Sequence, residues 1–342
     1  MKQEKIIISP GSIITFLTLI FLAIFIYQIK DVLLLLFGSF VISSALFPIV
    51  DWMSRKIPRG IVVAFVYLAG LIIIITLLIP FITVIATQLQ GFVTKFPTYW
   101  EHIIKIVDDL EILAISSGLI PDYTQIITNA AKFGQNLLGR SIGFTINLFT
   151  GIVAAFTLAI IVLFMLLDKN ILKEGGLKVF PPKYREDVTH IIETISKKVG
   201  GYVRGQLSLM FIVGLLTAVG LQIVGIEFAL LLGIIAGILE IVPIVGPVIA
   251  SIPGIFVGFA QDPILGLWAL LVYIIVQRIE NHILTPMILG KFLEMHPLII
   301  ITAILVAAST LGVFGVILSP AIAAVIYVLA QELYIKKIEK QI

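Results

Sequence analysis

Cysteine is absent from all 342 residues, which excludes disulfides, thiolate chemistry and Cys-ligated zinc. Charge is scarce: 13% of residues are Asp, Glu, Lys or Arg, against 60% hydrophobic. The 4 His are scattered, with no HExxH and no pair at helical ligand spacing, so no transition-metal site is expected. Neither GxxxxGKS/T nor GxSxG occurs, which leaves ATP-driven transport and serine-hydrolase chemistry without a motif. No nucleophile–base pair is recognisable for an intramembrane enzyme. No cofactor and no nucleic-acid partner are expected. What remains, at a mean hydropathy of +1.16, is an all-α polytopic integral membrane protein surrounded by lipid.

The apolar runs set the order. Ile13–Ile29, Val32–Trp52 and Ile61–Ile85 read as three spans in an N-terminal region 1–87. No small-residue cleavage site follows the first run, so it reads as a retained helix. Lys2 and Lys5, with Arg55, Lys56 and Arg59 between the second and third spans, predict a cytoplasmic N-terminus. Region 88–143 is polar enough to leave the bilayer on the other side. Phe92, Phe96, Trp100, Ile103, Val107 and Leu110 recur there at helical steps, with charges between them. Asp122 is a candidate N-cap for a second amphipathic helix. Two readings stand: a domain that meets partners or gates access, or a helical hairpin packed on the bundle or a sister subunit.

Region 144–167 is a fourth span. Region 168–205 is the most basic stretch and therefore cytoplasmic, with an amphipathic helix through Tyr184, Val188, Ile191, Ile195 and Val199 that Gly200-Gly201 ends or hinges. A transport region, 206–334, follows, and then a basic cytoplasmic tail, 335–342. The expected setting is the plasma membrane, with multiple passes and both termini inside.

The chain is organised around Gly225–Asp262. Two apolar runs, each too short for the ~30 Å hydrocarbon core, flank a segment containing Pro243, Gly246, Pro247 and Pro253. The prolines remove backbone donors and Gly246 permits positive φ, so a helical hairpin broken at its tip is predicted, with Ser251 a weaker candidate ligand. Broken backbone at membrane depth survives only where protein buries it or where it lines a watery cavity. Leu298–Val328 reads as a second broken unit, interrupted around Thr310, Gly312 and Gly315 and with Pro320 in its returning half. Two span-plus-hairpin units, 206–260 and 264–334, would then enter from opposite sides. That is the pattern of an inverted repeat and gives about eight membrane-embedded helical elements.

Gln277, Arg278, Glu280, Asn281 and His282 interrupt the crossing Ile264–Gly290, with Pro286 after them as a candidate kink. Ionisable residues at such depth are costly and usually face a bundle interior or a cavity. They either line a transport route or pair structurally with neighbouring helices. Gln277, Glu280, Asn281 and Leu284 share one helical face; Arg278 and His282 form another. For Glu240 three roles are open: carrier of a proton or monovalent cation, partner of Arg278, or a side chain that reaches the aqueous edge. Glu280 is a second possible place for a monovalent cation.

Several stretches are similar to one known family: FPPKYR (180–185), GYVRGQLSL (201–209), GIEFALLLGIIAGILEIVPIVGPVIASIPG (225–254), VQRIENHILTPMILGK (276–291) and MHPLIIITAILVAASTLGVFGVILSPAIA (295–323). Together they resemble the autoinducer-2 exporter family, also called PerM-like permeases, in order along nearly the whole chain. The resemblance implies an eight-helix-type permease and a homo-oligomer, with a pentamer the expected size, in which part of each protomer moves against a scaffold. Members are described as exporters of autoinducer-2 or as sodium(lithium)/proton antiporters. The expected function is a secondary transporter of a small polar solute driven by an ion gradient. A cation/proton antiporter is the alternative, and a non-transporting membrane scaffold the reading from another class.

Overall fold

A computed structural model describes residues 10–115, 141–290, 292 and 295–335. Asp122 and the expected second amphipathic helix fall outside the described residues, as does the basic tail from residue 336. Among the described residues the fold is all-helical, 91% helix without strands. In chain order the helices are α1 Pro10–Gln28, α2 Lys30–Met53, α3 Arg59–Ile115, α4 Ser141–Leu167, α5 Lys169–Lys178, α6 Arg185–Val224, α7 Ala229–Leu239, α8 Val245–Gln261, α9 Pro263–Ile279, α10 Thr285–Ile288 and α11 Pro297–Ala330. Among the described residues five helical segments are long and apolar enough to cross a membrane (α9 counted together with the turn after it and α10), or six if α4 and the bent α5 count as one span. The other elements expected in the membrane, α1 and the α7–α8 pair, are built of shorter apolar stretches.

Helices α2, α3 and α4 pack together through Val50, Val62, Val63, Val162 and Leu166. At one end of this bundle Asp51 accepts from Arg59 (2.7 Å) and from Lys169 (2.5 Å), while Arg59 Nε donates to the Leu166 carbonyl. From there α3 runs 57 residues without a break, about 85 Å of path, so the apolar third span and the amphipathic stretch after it are one helix.

Helix α6 is likewise unbroken over 40 residues and passes straight through Gly200-Gly201. The expected stop or hinge there is absent for a packing reason. A Cβ at Gly200 would collide with the Ser44 carbonyl of α2, and one at Gly201 with the Phe292 ring. The two glycines admit neighbours; they do not release the backbone. Arg204 Nη1 closes the same crossing by donating to the Ala45 carbonyl (2.9 Å).

Helix α7 then descends antiparallel to α6 at close range. A Cβ at Gly233 would lie 2.6 Å from the Gly214 carbonyl oxygen, and one at Gly237 the same distance from that of Met210. This small-residue seam lets the backbones touch, as in tight membrane helix pairs. The chain turns over residues 240–244 and returns as α8. At the open end of the hairpin the Glu227 amide donates to Gln261 Oε1 (3.2 Å), so α7 and α8 begin and end side by side. Asp262 caps α9 by accepting from the Ile264 amide (2.7 Å), with Pro263 in the first turn.

The second break lies within α11 at Gly312 (φ 65°, ψ −156°), a conformation essentially reserved for glycine. The chain folds back there. A Cβ at Gly315 would lie 3.1 Å from the Ala307 carbonyl, eight residues earlier, where a straight helix would put about 12 Å. Both arms line one apolar cavity of about 550 Å³ that runs from Leu298 and Thr302 to Tyr327 and Ala330. Ala321, Ala324 and Val328 of the returning arm pack on α2 and on Ile191, Ile195 and Val199 of α6.

Candidate functional site

The tip of the α7–α8 hairpin is where the polar residues of the interior collect. Three features of sequence force the tip open. Glu240 ends α7, Pro243 brings no donor, and the Val245 amide turns back onto the Pro243 carbonyl (2.8 Å). That hydrogen bond closes a γ-turn around Ile244 at φ 71°, ψ −52°, a strained geometry for a β-branched residue. Positive φ was expected at Gly246, but Ile244 carries it. Gly246 is required for another reason: a Cβ there would run into the carbonyl of Leu239 across the turn. Pro247 sits in the first turn of α8, where a missing N–H costs nothing. Pro253 lies inside α8, and Ser251 Oγ donates to the Val248 carbonyl (2.8 Å) one turn earlier.

Glu240 is 2% exposed, Glu280 5%, Gln206 5% and Tyr202 4%. Glu240 therefore does not reach an aqueous edge. Gln206 Nε2 of α6 donates to the backbone carbonyl of Glu240 (2.5 Å), which pins the tip to α6. Glu240 Oε2 and Gln206 Oε1 are buried with no hydrogen-bond partner. Tyr202 and Glu280 both lie within electrostatic reach of the Glu240 carboxylate.

Glu280 reaches the same place from α9 by way of a π-turn, Glu280–Leu284, which the sequence pattern does not announce. Pro286 explains it in part: its ring nitrogen cannot bond the carbonyl of His282, so the ladder widens just before it. Gln277 Nε2 donates to Glu280 Oε2 (3.0 Å) and to Asn281 Oδ1 (3.5 Å), so the expected shared face is present. Arg278, Asn281 and His282 are exposed, and His282 Nδ1 meets the Arg278 carbonyl (3.1 Å). Arg278 makes no ion pair with Glu240 or Glu280 among the described residues.

The structure thus gathers Glu240, Glu280 and Gln277 with Gln206 and Tyr202, two residues that sequence reasoning passed over. Gln206 stands at the start of an apolar run and reads as a boundary; its glutamine amide was the signal. Thr310, Gly312 and Gly315 form a separate place, where the Thr310 carbonyl accepts from Lys30 Nζ at the start of α2 (3.4 Å). No group of three or more His, Cys, Asp or Glu suited to a metal is found among the described residues. Two carboxylates buried within electrostatic reach of each other, with no ion pair to Lys or Arg among the described residues, cost several kcal/mol each unless a proton or cation neutralises them. That cost is the chemical capacity of the site.

The open end of the hairpin is held from outside the apolar spans. Gln88 Oε1 of α3 accepts from the Leu231 amide in the first turn of α7 (2.9 Å), and His102 Nδ1 meets the Ala260 carbonyl (3.0 Å). Glu227 Oε2 accepts from Lys95 (2.5 Å) and from Tyr99 (2.6 Å). These two bonds, Lys95 first, hold the Glu227 carboxyl below its usual range, while burial and the Glu227 carboxylate push the Tyr99 phenol up. Phe92 meets Phe228 edge-on, and Phe96 and Trp100 stack on Phe256. Of the amphipathic face read from the sequence, Phe92, Phe96, Trp100 and Ile103 are therefore turned to the hairpin.

The sequence is similar to a wider group of proteins. The sequence model described as AI-2E family transporter matches residues 16–335. The chain is 31% identical over 290 residues to "Putative transport protein YueF" of Bacillus subtilis (82% of this chain, 78% of the relative). It is 25% identical over 309 residues to "Putative transport protein YrrI" of the same organism (88% and 86%). With "Putative permease PerM" of Escherichia coli it shares 25% identity over 195 residues (56% and 55%).

Proposed function

The chain belongs to the AI-2E transporter family, and on that premise we propose a secondary transporter whose α7–α8 hairpin carries a small polar solute, with Glu240 and Glu280 taking up the coupling cation. One observation carries the reading. Glu240 is buried at a broken helix tip, within electrostatic reach of a second buried carboxylate, with an unpartnered oxygen and no ion pair among the described residues. A structural ion pair would have brought a base with it. A site that binds and releases a proton or monovalent cation needs what is found here: a carboxylate whose counter-charge is not built in.

Other features support the wider picture. The first hairpin opens toward the distal half of α3 and reaches Gln206 with its tip, while the second places its tip beside Lys30 at the opposite end of α2 from Asp51. Opposed tips suit two re-entrant units in inverted arrangement, giving eight membrane-embedded elements. Small residues at the α2–α6 crossing, Ser43, Ser44, Ala45 and Gly200, suit an elevator-type movement of region 206–334 against a scaffold. We take the assembly to be a homo-oligomer, a pentamer by the family's pattern, in the plasma membrane with both termini cytoplasmic.

An autoinducer-2-like solute is the substrate expected from the family. The paired carboxylates favour one second reading, sodium(lithium)/proton antiport, in which the cation itself is the cargo. A scaffold that moves nothing has no use for a buried, unpaired carboxylate at a strained tip.

The test uses the cysteine-free chain. Single cysteines at Ser251 and Ser309 are labelled with an impermeant maleimide from each side of the membrane. Transport by a moving hairpin predicts labelling from both faces, with the balance shifted by an ion gradient. Labelling from one fixed face under every gradient would make the hairpins static and favour the scaffold.

A further inference from the structure

We propose that α5 and the turn after it lie in the membrane interface and hold anionic phospholipid headgroups. Helix α5 leaves the apolar α4 at 82°. A right-angle bend at the end of a helix that runs into the bilayer lays the next helix along its surface. Helix α5 buries none of its residues. One side is committed to the protein: Lys169 to Asp51 (2.5 Å) and Lys173 to Glu193 (2.6 Å). On a helical wheel Ile171 falls opposite those two lysines, and Leu172 and the C-cap Val179 lie to one side, about 80° and about 100° from their mean direction. They are 69%, 53% and 82% exposed, and Phe180 continues the patch. In a chain that lives in lipid, such a face meets hydrocarbon just inside the headgroups.

Charge decides which lipid. Lys178, Lys183 and Arg185 border the apolar patch and pair with no carboxylate among the described residues. Lys183 Nζ sits over the Tyr184 ring (5.7 Å), and Arg185 Nε donates to the Phe180 carbonyl (3.1 Å), which ties Arg185 to the residue that continues the patch. Their aliphatic stems can lie along the patch while the charged heads reach the headgroup layer. Three such charges favour an anionic over a neutral surface by on the order of 100-fold. Because Lys169 ties α5 to Asp51, and Asp51 also holds Arg59, a lipid bound here braces the end of the α2–α3–α4 bundle.

Two measurements on the full chain in nanodiscs of phosphatidylcholine and phosphatidylglycerol test this. Nitroxides at Ile171→Cys and Val179→Cys are expected to be relaxed by oxygen and shielded from a water-soluble nickel chelate. Labels open to the chelate would overturn the interfacial placement and leave this face to a soluble acidic partner. This reading removes no basic residue, so it stands whether or not charge variants fold. Spin-labelled phosphatidylglycerol is expected to be enriched over phosphatidylcholine at the protein boundary. That enrichment should fall toward unity in the triple variant K178Q/K183Q/R185Q and at high salt, and persist in K105Q on distal α3. Enrichment unchanged in the triple variant would overturn the role of the three bases.

Discussion

Two of the molecule's helical breaks lie beyond α6, and they are made by different chemistry. The first break, between α7 and α8, needs five residues, two flanking prolines and a γ-turn around Ile244; it encloses Glu240 and is clasped at its far end by α3. The second needs one residue, Gly312 at φ 65°, and presents no ionisable side chain of its own. Its tip meets the protein through a lysine to a backbone carbonyl, and its arms enclose an apolar cavity. A glycine break is the minimum that reverses a helix. The first break carries strain and buried charge beyond that minimum. The difference teaches where cost is concentrated: the first tip buries an ionisable side chain and holds a strained residue, and the second does neither.

The largest effect that separates the two belongs to Glu240. Glu240→Gln removes the charge while keeping shape, so ion-coupled flux should be abolished with the thermal midpoint unchanged or raised, since a buried ionisable group is lost. Measured on one preparation by transport assay and scanning fluorimetry, a variant that still transports would erase the contrast between the tips. No residue near Gly312 should behave in this way.

Next come the backbones of the two turns. Gly246→Ala forces a methyl into the Leu239 carbonyl and should destabilise by about 3 kcal/mol. Gly312→Ala meets open space, so its cost is conformational alone, about 2 kcal/mol. Thermal unfolding that reversed this order would show the first turn to be the more yielding.

The clasp on α3 is worth less again. Tyr99→Phe removes one hydrogen bond to Glu227 and should cost about 1 kcal/mol. The Glu227 carboxyl is held below its ordinary value of 4.5, chiefly by its bond from Lys95. Its contribution is therefore fully present above that pH and lost as pH falls through the lowered value. Hydrogen exchange at the start of α7 should accelerate only in acid below about pH 4.5, and Glu227→Gln should flatten that dependence. Smallest of all is Arg278→Gln, since Arg278 is exposed and pairs with neither buried carboxylate; flux should stay within about twofold, or 0.4 kcal/mol.

Both breaks are legible in the sequence because proline and glycine act on the backbone locally. Pro243 and Gly312 stand at the breaks themselves, although proline alone does not decide one, since Pro48, Pro253 and Pro320 lie inside helices. Glu240 and Glu280 are legible because a carboxylate in an apolar run is costly wherever the run is buried. What is not legible depends on a distant neighbour. Gly200-Gly201 reads as a hinge until Ser44 and Phe292 are seen against it. Gln206 reads as the edge of a span until its amide is found on the Glu240 carbonyl. Glu227 reads as a topology marker until Lys95 and Tyr99 close on it from residues more than a hundred positions earlier. The continuity of α3 is hidden in another way. Its composition changes from apolar to amphipathic while its helical period does not, so a change of surroundings resembles a change of element.

The most direct test of the central claim is ion-coupled flux in proteoliposomes under an imposed pH gradient, read for wild type, Glu240→Gln and Glu280→Gln. Autoinducer-2 release and sodium- or lithium-evoked pH change serve as the two readouts. The account predicts that wild type couples one of them to the gradient and that each glutamine variant loses the coupling. Coupling at wild-type rates in both variants would contradict it, and the buried carboxylates would then be structural.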